Sequence, residues 1–169
     1  RQRQMCIRDR SYSLYLDRLE SWYNENVSPE WSNLVQQTMN LLQKENELEE
    51  IVRLVGIDAL SYRDRMTLEA TRSIREDYLH QNAFHEVDTY TSPRKQYLML
   101  KAILLNYEKS LDALSADASF NRLIQLPVRE RIGRLKYVPE DEAQAEYDAI
   151  LADMNAQIGA LTEGGEQNA

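Results

Sequence analysis

Leu34, Leu41, Leu48 and Val55 recur every seven residues, with Trp31, Val35, Leu42, Ile51 and Val52 beside them. A stripe of this width, sustained from Pro29 to about Val55, belongs to one long amphipathic helix. At 1.5 Å per residue such a helix is about 40 Å long. Gly56 follows directly, in the place where a glycine ends a helix. A chain that must house so long a rod can bury its stripe only against other helices, and no alternating strand pattern of useful length occurs elsewhere.

The remaining punctuation agrees with this. Ser28-Pro29-Glu30, Ser92-Pro93 and Pro139-Glu140-Asp141-Glu142 each place a proline where the first turn of a helix tolerates it. Serine is the expected N-cap in the first two, and acidic residues fill the first turn of the third. Further helices are expected from Ser11 to about Val27, with Leu14, Leu19 and Trp22 among its apolar positions, and from Ser61 to about Leu79. Ser61 and Asp64 form a variant capping box. The stripe Tyr97, Leu100, Leu104, Tyr107, Leu111 and Leu114 predicts a helix over Pro93 to Leu114. A shorter stretch covers Ala118 to Leu135, interrupted or restarted at Pro127. Tyr147, Ile150, Leu151, Met154, Ile158 and Leu161 share a face of a last helix, Pro139 to Leu161. The expected fold is all-α: a bundle of about six helices with one long helix and a helix-corner-helix lever.

The 169 residues amount to one domain, and 5 Gly and 4 Pro leave little room for loop. Residues 1–10, RQRQMCIRDR, lack a helical stripe and read as a non-native leader; residues 162–169 read as a flexible tail. The net charge of −8 argues against nucleic acid. No apolar run reaches the roughly 20 residues of a membrane span, and no secretory signal is present. The single cysteine, Cys6, has no internal partner, and a reducing cytoplasm is the simplest compartment.

Signals for catalysis are missing. Neither a G-x-x-x-x-G-K-[ST] phosphate loop nor a G-x-G-x-x-G turn occurs. The two histidines, His80 and His85, stand five apart beside Glu86 and Asp88; that spacing does not place both on one helical face, so no metal site is expected. Glu45, Glu47, Glu49 and Glu50 read as a solvated face with Lys44 and Arg53 as local partners. Gln81-Asn82-Ala83-Phe84 offers a planar aromatic, a small residue and two amides. Those groups can edge a purine base, although a phenylalanine after a helix is ordinarily a core plug.

ENELEEIVRLVGIDALSYRDRMTLEATRSIREDYLHQNAFHEVDTY resembles the C-terminal helical domain of the catalytic A subunit of V-type and A-type rotary ATPases. SYSLYLDRLESWY at Ser11 to Tyr23 and KQYLML at Lys95 to Leu100 fit the same region, so the likeness runs from about Ser11 to Leu161. It extends more distantly to the matching domain of F-type β subunits. The resemblance implies that phosphate loop, catalytic glutamate and Mg²⁺ site lie in a separate α/β domain. It implies that Gln81, Asn82, Ala83 and Phe84 form one wall of an adenine pocket, with Phe84 against the base. His80 stands where the family pattern has glutamine.

The same resemblance implies that Gly56, Ile57, Asp58, Ala59, Leu60, Ser61, Tyr62, Arg63 and Asp64 form the corner that meets the central stalk. The expected partners are the rest of the A subunit, B subunits and the rotor. ATP or ADP with Mg²⁺ would be bound by the whole subunit and no cofactor by this piece alone. The whole would be an ATP-hydrolysing or ATP-making transporter of H⁺ or Na⁺, on the cytoplasmic side of a membrane and peripheral to it. The rival reading is a free-standing helical interaction module.

Overall fold

In a computed structural model the chain is described over residues 18–80 and 91–163, and among these it is helical without a strand. Helix α1 is described over residues 18–26. Then come α2, Trp31–Val55; a 3₁₀ turn, Ile57–Ala59; and α3, Tyr62–Ser73, which continues into a π-helical end, Ile74–Leu79. After the 81–90 segment follow α4, Pro93–Ser115; α5, Phe120–Leu123; α6, Pro127–Arg134; a 3₁₀ turn, Leu135–Tyr137; and α7, Ala143–Glu163.

Helix α4 is the axis of the bundle. Leu98, Met99, Leu100, Ala102, Ile103 and Leu104 are all buried, so this stretch faces protein on all sides but that of the partly exposed Lys101. Its neighbours are α7 and α3, with α2 and α6 further round. The seam is closed by Ile74 and Met66 from α3, Val128 and Ile132 from α6, and Tyr147, Ile150, Met154 and Ile158 from α7. Sequence periodicity shows only one stripe on α4; the second apolar face is what a central helix needs.

Polar ties orient the packed helices. Ser92 caps α4 by accepting the Lys95 N–H, and Pro93 occupies the first turn as expected. The Tyr97 hydroxyl and Lys101 Nζ both donate to Glu30 Oε2 at 2.7 Å, tying α4 to the start of α2. Lys101 holds the Glu30 carboxyl below the usual carboxylate range. The Val128 N–H, which has no intrahelical acceptor at the start of α6, finds Gln157 Oε1 of α7 at 2.9 Å.

Several expectations need correction. Pro139 does not begin a helix: residues 139–142 make a turn closed by Glu142 N–H on Pro139 O, and α7 starts at Ala143. The stretch from Ala118 to Leu135 is restarted at Pro127 as expected, giving two helices, because Leu126 is extended ahead of the proline. Helix α7 includes Thr162 and Glu163, beyond the expected tail boundary. Leu19 and Trp22 on α1 are exposed, as are Ile51, Leu54 and Val55 at the far end of the α2 stripe. Glu45 is not solvated. It is 5% exposed and receives the Arg75 guanidinium from α3, while Lys44 pairs with Asp64. Residues 1–10, Ser11 and Leu14 lie outside the described residues.

Leu100 is 1% exposed and Leu54 76% exposed. Leu100→Ala is expected to cost about 2–5 kcal/mol in urea denaturation. Leu54→Ala is expected to stay within about 0.5 kcal/mol, although both residues are leucines in long helices. Equal effects would contradict the placement of α4 at the centre.

Candidate functional site

The corner between α2 and α3 is built from backbone constraint and then braced on three sides. Gly56 ends α2 at φ +91°, a conformation that L side chains rarely adopt, and its N–H donates to Val52 O at 2.9 Å. A methyl group added at Gly56 would meet no atom within 4 Å, so conformation rather than space calls for glycine here. Ile57–Ala59 turn once as a 3₁₀ helix, and Leu60 is buried beneath. Ser61 then caps α3: its Oγ accepts the Asp64 N–H at 3.2 Å and its hydroxyl donates to Asp64 Oδ2 at 3.0 Å. The Ser61 cap is present as expected, with the Asp64 carboxylate accepting the Ser61 hydroxyl.

The bracing is tertiary. Lys44 of α2 reaches Asp64 Oδ1 at 3.1 Å, and this hydrogen bond holds the Asp64 carboxyl below its usual range. Arg65 donates to Leu60 O and Asp58 Oδ1 and lies over the Tyr62 ring. Tyr62 stacks on Phe120 of α5 with centroids 5.4 Å apart. Arg63 donates to Ser115 Oγ at 2.9 Å, at the end of α4. Exposed pairs of this kind add little stability. Their effect is to leave the corner few ways to move. On its outer surface Ile51, Leu54, Val55, Ile57 and Tyr62 present apolar side chains to solvent.

Some 18 residues away, about 27 Å along the helix, lies the other end of α3. Its last turns widen to the i→i+5 pattern, and His80 N–H donates to Arg75 O at 2.9 Å. Such widened turns concentrate at functional sites. Arg75, where the widening begins, forks onto Glu45, pinning α3 to α2 in mid-course. Tyr78 packs against the core, and burial pushes its phenol up to about 12. Lys136 Nζ donates to Glu76 O at 3.0 Å and to His80 O at 3.4 Å. Gln81, Asn82, Ala83 and Phe84 come immediately after and lie outside the described residues. So do His85, Glu86 and Asp88; among the described residues no three metal-ligating side chains converge.

Sequence reasoning locates the corner and its cap. It misses Glu45, Arg75, Lys95, Lys136 and Phe120 as supports of the two ends, since their partners are 30 or more residues away. One signal was available: Phe120 is one of only two phenylalanines in the chain, and it stands in a short stretch between two longer helical patterns.

A family model described as the C-terminal domain of V and A type ATP synthase matches residues 20–123. The helical fold is thus that of the C-terminal domain of V and A type ATP synthases, and the chain belongs to this family. It is similar to the V-type ATP synthase alpha chain of Acetivibrio thermocellus, at 60% identity over 151 residues, covering 89% of this chain and 26% of that protein. The alpha chain of Thermoanaerobacter pseudethanolicus is 52% identical over 159 residues, and that of Clostridium botulinum (strain Okra / Type B1) 51% over 160; each match covers 94% of this chain and 27% of the relative. The chain spans about a quarter of the length of these curated relatives. These matches favour a part of such a subunit over a free-standing module. No helix among the described residues is long and apolar enough to cross a membrane.

Asp77, whose carboxylate lies against Gly133, supplies a pH test of the α3 end. Burial raises its carboxyl above the usual range, and the Ser73 hydroxyl and Lys136 offset this only in part. A carboxylate raised in the folded state costs stability once ionised; the cost is absent below the unfolded pKa and complete above the folded one. Asp77→Asn is therefore expected to raise the melting temperature at pH 7. The gain should shrink through the acid range and vanish below about pH 3. A gain that grows on acidification would contradict the assignment.

Proposed function

We propose that this chain is the rotor-facing, adenine-side helical part of a catalytic A subunit in a V/A-type rotary ATPase. The whole assembly couples ATP hydrolysis or synthesis to H⁺ or Na⁺ transport, with nucleotide and Mg²⁺ held mainly by a phosphate-loop domain outside this chain. B subunits and the central stalk are the remaining partners, and the assembly sits on the cytoplasmic side of a membrane. One observation carries this reading beyond family membership: a corner braced by Lys44, Arg63 and Tyr62 with an apolar outer surface, at one end of a stiff two-helix arm.

The physics of the arm is displacement without bending. Helices α2 and α3 are cross-linked by Glu45–Arg75, from the middle of α2 to the π-helical end of α3, and near the corner by Lys44–Asp64. A swing imposed at the nucleotide end therefore moves the corner rather than shearing one helix past the other. Gln81, Asn82, Ala83 and Phe84 are proposed as the adenine-side wall at that end. Gly56, Ile57, Asp58, Ala59, Leu60, Ser61, Tyr62, Arg63 and Asp64 are proposed as the rotor contact, with Leu54 and Val55 extending its apolar face.

The chain alone is expected to show no ATP turnover, because phosphoryl transfer needs phosphate-cradling groups and Mg²⁺ ligands that this chain lacks. Hydrolysis by a contaminant-free sample would overturn this. In the full-length subunit, Leu54→Asp with Val55→Asp is expected to lower ATP-driven ion transport by roughly tenfold. Hydrolysis by the stalk-free catalytic head should stay within about twofold of the unmodified value. Unchanged transport would remove the corner from the rotor interface.

A further inference from the structure

Where α3, α4 and α6 meet lies a small pocket of about 10 Å³. Its polar lining is Glu69 and Ser73 from α3, Asn106 and Tyr107 from α4, and Arg129 from α6; the rest of its wall is apolar. Asn106 Oδ1 is buried here, and no hydrogen-bond donor among the described residues reaches it. A buried acceptor left in this way keeps the whole cost of its lost hydration. Native interiors seldom leave such a group unmet.

The polar neighbours are directed elsewhere. The Thr67 hydroxyl gives its one proton to Arg63 O at 3.2 Å, so the Tyr107 hydroxyl is the donor in its 2.9 Å contact with Thr67 Oγ1. The Ser73 hydroxyl bonds the Asp77 carboxylate. Arg129 donates to Ile124 O at 2.9 Å and to Glu69 Oε2 at 2.8 Å. Arg72 pairs with the same Oε2 at 2.9 Å, so both guanidinium contacts of Glu69 fall on one oxygen.

Size decides what can meet Asn106. A volume of about 10 Å³ is the least that holds one water molecule, and it is too small for two, for phosphate or for an organic ligand. A wholly apolar cavity of this size stays dry, whereas a buried water needs about two to four polar partners. The lining supplies them. Asn106 Oδ1 and the Glu69 carboxylate can accept, and the Arg129 guanidinium has further N–H groups to donate.

We propose that the junction of α3, α4 and α6 binds one ordered water, which donates to Asn106 Oδ1 and to the Glu69 carboxylate and accepts from Arg129. The Glu69–Arg129 pair already joins α3 to α6, and the water brings α4 into the same network. Ser73 is the last residue of α3 before its π-helical end, so the water ties α3 to its neighbours where the regular helix stops.

The test is a crystal structure of the full-length subunit at a resolution that shows ordered solvent, with Asn106→Leu solved alongside. A single solvent peak is expected about 2.5–3.0 Å from Asn106 Oδ1. It should be lost in Asn106→Leu while the backbones of α3, α4 and α6 keep their places. No peak in the unmodified subunit, or more than one, overturns the proposal. An Asn106 side chain turned to bond Glu69 directly overturns it too, as does a peak that survives in Asn106→Leu. Should the variant not fold, the unmodified subunit decides alone.

Discussion

The burial of α4 over residues 98–104 organises everything else in the domain. A helix covered on all but one side must be approached from several directions at once, and α3, α7, α2 and α6 do so. Because interiors pack like solids, each neighbour is located by the side chains it inserts around α4. Ile74, Val128, Leu135 and Ile150 are fully buried at these meeting points. The corner and the α3 end, which carry the functional proposals, are the ends of elements held in this way.

The polar contacts divide into two kinds. Glu45–Arg75 and Lys44–Asp64 join the two helices of the arm, and Arg63–Ser115 and Tyr62–Phe120 join its tip to the body. Apart from the buried Glu45, these groups are at least partly exposed and contribute more to shape than to stability. Lys136 is buried and donates to carbonyls at the opposite end of α3, and the buried Lys95 donates in turn to Lys136 O. One end of the arm is therefore buttressed from outside and the other anchored from within, which suits the proposed transmission of a displacement.

The exposed apolar residues at the end of α2 show where a stripe can mislead. Leu34, Leu48 and Val55 share one heptad register, yet the first two are buried and Val55 is open to solvent. Periodicity reports which face is apolar, not whether the body of the domain extends far enough to cover it. Here α2 reaches past its neighbours, and the surplus is the surface proposed to meet the rotor.

Legibility in the sequence followed the range of the interaction. Helix type, the Gly56 stop, the Ser61 and Ser92 caps and the Pro93 start depend on neighbours within four residues, and all were readable from local pattern alone. The family of the whole was readable too, from several quoted stretches in order. The π-helical end of α3, the inward turn of Glu45, the four-residue delay of α7 and the contacts of Lys136 and Glu140 were not. Each joins groups 30 to 60 residues apart, or displaces a local preference in favour of such a contact. By itself, then, the sequence determined that this is a helical bundle with a stiff arm and a capped corner. Only the tertiary structure decided which charges are buried and which apolar residues stay exposed, because those depend on what packs alongside rather than on what comes next in the chain.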